Sequence, residues 1–275
     1  MRFNQIISTM ADDNNMSFLQ HLEELRWHLI RSVAAVLIVA IAAFLMSDFI
    51  FGTIILEPKT PEFWSNRMLA RLADYTGVEA LRINRNNLEI ISIKMAGQFL
   101  THLKISAYAG LIVAFPYIVY EFWRFIKPAL NKKEANHARG GVFFSSILFF
   151  IGVAFAYYLI LPLSIHFLGG YNVDPSVTNQ INIGSYIQTV SSILFSGGIA
   201  FELPIVVYFL SRIGLATPEG MRKYWRHAIV AMLVLSAIIT PPDIFSQIMV
   251  CVPLIALYAI SIRISKRVNK RQQEA

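Results

Sequence analysis

Apolar residues run in six long blocks along the chain, and charged, glycine and proline residues return between them. A helix needs about 20 mostly apolar residues to cross a bilayer. The blocks therefore predict six transmembrane helices, at 27–51, 99–126, 141–168, 186–213, 224–240 and 244–264. The fully apolar part of the fifth is only 228–239, and Pro241, Pro242 and Asp243 alone part it from the sixth. Helices five and six are expected to be short and to thin the bilayer locally. A re-entrant pair here would leave the flanking charges on the same sides, so charge does not separate the two arrangements.

The loops are unequal. The first outer loop, 52–98, is long, and in it Leu69, Leu72 and Tyr75 recur at roughly helical spacing before Gly77. That pattern predicts a short amphipathic helix lying against the outer surface and ending at the glycine. The second outer loop is rich in turn formers. No internal repeat is visible, unlike the matched halves of an inverted-repeat transporter. The whole chain, 1–275, reads as a single all-α membrane domain.

Composition agrees with that reading. Of the 275 residues 56% are hydrophobic and 15% charged, and the mean hydropathy is +0.54. A soluble domain carries nearer a quarter charged residues. The net charge of +7 raises the question of nucleic acid. Position answers it, because seventeen of the 24 Lys and Arg fall in the N-terminal segment, the loops after helices two and four, and the C-terminal tail. Basic residues near span ends mark the inner side, so both termini are expected in the cytoplasm and no nucleic-acid partner is called for. The single cysteine, Cys251, excludes a disulfide frame and a thiolate metal cluster. The first 26 residues carry four acids and no long apolar stretch, so they do not read as a cleavable secretory signal.

Several polar residues stand where lipid is expected. Glu202 lies well inside the fourth block, two residues before Pro204 and close to Gly197 and Gly198. A carboxylate at that depth costs about 2.5 kcal/mol or more unless it faces protein or water. A bent, partly hydrated, concave face is expected around it. Either a bond to a neighbouring helix or a polar patch for something entering the membrane accounts for such a residue. Lys104 differs from it in depth by about 15 Å and is expected to snorkel outward instead. Thr240 and Gln247 sit at the facing ends of helices five and six, where they could hydrogen-bond an incoming helix. Asp243 is placed to cap helix six. In the first inner loop Glu134 is the one acid among Lys127, Lys132, Lys133 and Arg139. A surface pair with a lysine, worth little, is its ordinary use.

No metalloprotease helix motif, nucleophile elbow or glycine-rich phosphate loop occurs, and the six histidines are scattered. An enzyme is not indicated, and no metal or cofactor is implied. On residues alone, a signal receptor and a proton-coupled small-solute carrier that titrates Glu202 remain open together.

Four stretches bring in a resemblance. "HLEELR" before helix one, "FIKPALNKKE" after helix two, "FELP" in helix four and "TPPDIFSQ" between helices five and six resemble the TatC family, in order and with matching spacing. "FFIGVAFAYYLILP" in helix three is similar too. The resemblance covers roughly 18–263; the first outer loop is longer than the usual form, and Arg67, Arg71, Arg82 and Arg85 within it take no family role. It implies the core receptor of the twin-arginine protein translocase in a bacterial inner membrane. Such a receptor binds signal peptides with consecutive arginines, assembles with single-span TatA- and TatB-type subunits in a multimeric complex, and exports folded proteins on the proton-motive force. By motif position Glu24 and Glu134 correspond to the acids that bind the arginine pair, with Arg26 and Phe125 beside them. Glu202 corresponds to the polar residue of span four, and Thr240 and Gln247 to the site that receives partner helices. Two carboxylates can each hold one guanidinium in a bidentate pair, provided the start of span one meets the end of span two. Trp27, Phe122, Trp123 and Phe125 are expected to form an interfacial shelf for the peptide's apolar region.

Overall fold

The computed structural model describes residues 18–85, 88–126, 138–174, 176, 179–240 and 244–273. Helix α1, Phe18–Leu45, contains neither glycine nor proline and starts before the expected 27. Regular helix yields at Met46, and the chain continues through a π-turn at Ile50–Ile55. The outer-loop helix forms as expected: α2 spans Trp64–Thr76, and Gly77 ends it with φ 73° and an N–H bonded to the Ala73 carbonyl at 2.8 Å. A positive φ there is what glycine supplies at no steric cost.

The face that α2 buries is not the expected one. Tyr75 is 90% exposed and Leu72 42%, whereas Ser65, Asn66 and Ala73 are buried. Polar bonds hold the helix. Asn66 Nδ2 donates to the carbonyls of Pro58 (3.2 Å) and Thr60 (2.7 Å). Asn84 Nδ2 donates to Asn66 Oδ1 (3.3 Å) and to the Pro162 carbonyl (3.0 Å). The loop before α3 and the loop before α7 are also stitched by a short parallel pair, β1 Ile90–Ile91 with β2 Ile181–Asn182. Beneath this cap lies an apolar cavity of ≈ 480 Å³ lined by Leu69, Ile83, Leu163 and Met249 among others.

Span two is broken. α3, Gly97–Val113, and α4, Phe115–Ile126, meet at 53°. Pro116 has no N–H for the Ile112 carbonyl, which is the usual cause of such a kink. Span three is α5, Ala138–Phe155, a π-turn at Ala156–Ile160, and α6, Leu161–Gly170. Span four is α7, Ile183–Phe201, and α8, Leu203–Arg212, parted at Glu202. After a short α9, Pro218–Lys223, come α10, Trp225–Ile239, and α11, Ile244–Gln273.

Four stretches are long and apolar enough to cross a membrane: Leu22–Leu45, Gly140–Gly170, Ile183–Arg212 and Gln247–Lys270. The bent pair α3–α4 makes a fifth. α10, with 15 residues, is short as expected, roughly 22 Å at 1.5 Å per residue. The expected shortness of the sixth helix is corrected, since α11 runs 30 residues. No breaker follows Ile264, so the basic tail continues the helix, and it stays packed: Val268 is buried and Ser265 Oγ donates to the Ala216 carbonyl at 3.0 Å.

The core lies where α6 and α7 meet α10 and α11, around Leu161, Ile187, Ile193 and Leu254, and Phe149 is buried between α4, α5 and α7, all five under 2% exposed. Close approach requires glycine there. A Cβ on Gly152 would stand 2.5 Å from the Gly197 carbonyl oxygen. Small residues at such crossings let membrane helices gain dispersion contact. Gly152→Ala is expected to destabilise the fold by about 1–3 kcal/mol, read as a lower unfolding temperature in detergent. Gly140→Ala, where a Cβ meets nothing within 4 Å, is the control.

Candidate functional site

At the basic end, α1 packs against both α3 and α4. Gly110 lets α3 approach closely, for a Cβ there would come within 2.7 Å of the Val36 carbonyl oxygen. The chain runs in opposite directions in α1 and α4. On α1 Glu24, His28 and Arg31 recur at intervals of four and three; on α4 Tyr117, Glu121 and Phe125 recur at intervals of four. Such spacing stacks each set on one helix face.

The two faces meet. The Nδ1–H of His28 donates to Oε2 of Glu121. A guanidinium nitrogen of Arg31 stands 3.6 Å from the same oxygen, and the Tyr117 hydroxyl is a further hydrogen-bond partner of Glu121. The His28 ring meets Phe125 edge-on, centroids 6.0 Å apart. One turn nearer the basic end than His28 is Glu24, half-buried. The structure thus brings Glu24 and Phe125 to one wall between α1 and α4. Glu134 lies outside the described residues.

Arg26 is not brought to this wall. Two residues from Glu24, it lies about 200° around the helix, exposed, with its guanidinium over the Trp27 ring at 5.7 Å. The expected aromatic shelf is only partly present. Trp27 and Phe122 are exposed, but Trp123 is 7% exposed, packed on Phe209 with centroids 4.5 Å apart. Trp123 belongs to the seam between α4 and α8, because it falls on the face of α4 turned toward the bundle.

Glu121 does not stand out as a site residue in the sequence, because it lies away from the span centre and among aromatic residues that read as surface anchors. The signal was present: an acid four residues before Phe125, inside an apolar run, with a histidine four residues after Glu24.

A second polar position lies at the break in span four. Ser145 Oγ, on α5, donates to Glu202 Oε2 at 2.6 Å. The other oxygen, Oε1, is buried without a partner among the described residues. Glu202 is therefore bonded to a neighbouring span, and Lys104 is exposed, as expected. At the far end of the bundle, Thr240 is 6% exposed and its hydroxyl donates to the Ser236 carbonyl at 2.8 Å. Gln247 Nε2 donates to the Leu233 carbonyl at 3.1 Å, tying α11 to α10. Of these two, Gln247 is the less enclosed. Among the described residues no group of three or more His, Cys, Asp or Glu is placed to hold a metal ion.

Comparison with known proteins places this arrangement. The family model described as Sec-independent protein translocase protein (TatC) matches residues 20–253. The TatC of Blattabacterium sp. subsp. Periplaneta americana is 37% identical over 263 residues, 95% of this chain and 99% of that one. The TatC of Aquifex aeolicus is 35% identical over 260 residues, 94% and 98% of the two chains. Two crystal structures of a twin-arginine translocase receptor, TatC, superpose with TM-scores of 0.64 and 0.67 at 33% and 34% identity, over 90% and 89% of this chain and 99% of each of those. The chain is a membrane protein of the TatC family of Sec-independent protein translocase components.

Proposed function

We propose that this chain is the receptor core of a twin-arginine translocase, binding signal peptides through their arginine pair between α1 and the end of α4. The observation that carries the reading is the antiparallel contact of His28 with Glu121 and Phe125. It sets half-buried Glu24 on the α1 face that meets the last turns of α4, and Glu134 follows Phe125 by nine residues in the sequence. Glu24 and Glu134 each take one guanidinium, and Phe125 offers apolar surface next to them. Both termini face the cytoplasm of a bacterial inner membrane. Single-span TatA- and TatB-type subunits dock on the outer ends of α10 and α11, with Gln247 as the more accessible contact and Thr240 backing it. Glu202 serves the polar wall of the concave face rather than a solute pathway. Cargo crosses folded, driven by the proton-motive force.

The test is a titration of the purified chain in nanodiscs with a labelled signal peptide carrying Arg-Arg or Lys-Lys. Lysine lacks the planar fork that matches a carboxylate. The Arg-Arg peptide is expected to bind about tenfold tighter. Equal affinities, or none for either, overturn the reading.

A further inference from the structure

Glu121 makes no proposed contact with the peptide, yet it is the most enclosed acid among the described residues, at 1% exposed. A carboxylate inside a membrane protein persists where its charge is used. Its partners come from two helices: His28 and Arg31 from α1, Tyr117 from its own α4. Arg31 is held in place from its other side, its Nε–H donating to the Trp27 carbonyl at 3.2 Å. Both basic partners lie on the α1 face that carries Glu24, one and two turns deeper. With nothing to balance it, the Arg31 guanidinium would oppose a ligand that brings two more guanidinium groups.

We propose that Glu121 is a positioning residue for the arginine-pair site: held against α1 by its bond to His28, it is the counter-charge of Arg31 and cancels positive charge behind Glu24 and Phe125. This rests on the reading under Proposed function and deepens it. Glu121 acts through its neighbours and touches no peptide atom. Its role is electrostatic, and a purely mechanical clamp makes the opposite forecast for a double variant.

The experiment uses the full chain in nanodiscs and the Arg-Arg peptide, with thermal unfolding followed in parallel. Glu121→Gln is expected to weaken binding about tenfold, and Glu121→Asp to stay close to wild type. Adding Arg31→Gln to Glu121→Gln removes the uncompensated cation and should recover most of the lost affinity. Added salt should narrow the Glu121→Gln deficit, because it screens like-charge repulsion. Where Glu121→Gln fails to fold, Arg31→Gln alone decides: it should bind at least as tightly as wild type, and a loss overturns the proposal. So does wild-type affinity in Glu121→Gln, or a double variant as weak as the single. Wild type that binds neither peptide sinks the receptor reading itself, an outcome distinct from all of these.

Discussion

Replacing Glu24 by glutamine is expected to weaken binding of an Arg-Arg signal peptide by about 10- to 100-fold, the loss of one charge-assisted hydrogen-bonded pair. The side chain is half-buried on the α1 face that meets α4, so the pair forms partly shielded from water, where such bonds are worth most. Glutamine keeps the shape and one acceptor oxygen and loses the charge, which separates electrostatics from packing. The neighbouring acid supplies the control. Glu23 is exposed and about 100° further round the helix, and Glu23→Gln should change affinity less than about twofold. The Lys-Lys peptide, which gains less from a bidentate acceptor, should lose less on Glu24→Gln. Equal losses from the two glutamates, or none from either, would remove Glu24 from the site.

The residues that were legible in the sequence share one property: their pattern is local. The spans follow from apolar blocks because a bilayer demands about 20 such residues in line. α2 and its stop at Gly77 follow from spacing within one turn or two. Glu202 stood out because its neighbours in sequence are apolar, and one of its oxygens accepts from Ser145. What was illegible depends on contacts far apart in the chain. The buried face of α2 was misassigned because asparagines, bonded to loop carbonyls and to Asn84, anchor it in place of leucines. Trp123 looked like an interface anchor until Phe209, 86 positions away, covered it. The length of α11 was missed because hydropathy marks where lipid ends, not where a helix does. The candidate site divides the same way. Glu24 and Phe125 come from motifs and fall on the two helix faces that His28 brings into contact, but Glu121, the acid bonded to His28, gains its meaning only from that partner 93 residues earlier.

Two polar positions and a proline mark breaks in helical regularity along the bundle. Glu202 occupies the join of α7 and α8, Pro116 opens α4, and Thr240 ends α10. At each break backbone groups leave the regular ladder and a polar side chain or a kink takes up the difference. Ser145 and Glu202 link α5 to the join of α7 and α8, Gln247 links α11 to α10, and His28 and Glu121 link α1 to α4. The three helix pairs thus each carry a polar link, while dispersion contact among large apolar side chains fills the rest.

Phe149→Ala should therefore be the most damaging core change, costing about 3–5 kcal/mol of stability. Phe149 is fully buried in α5, with its ring stacked on Phe115 at a centroid distance of 3.6 Å and 9° between planes. On its other side a Cβ added to Gly198 would meet the ring at 2.5 Å. One side chain thus fills the junction of α4, α5 and α7, and truncation leaves a void that three helices cannot close at once. Because Phe115 begins α4, release of the stack also frees the helix that carries Glu121 and Phe125. Arg-Arg peptide binding should fall together with the unfolding temperature. Phe150, the adjacent residue, is 41% exposed and faces outward, where lipid replaces lost contacts. Phe150→Ala should cost less than about 1 kcal/mol and leave binding unchanged. Similar unfolding temperatures for the two variants would show that the stack does not hold α4, and that the position of Phe125 depends on α1 alone.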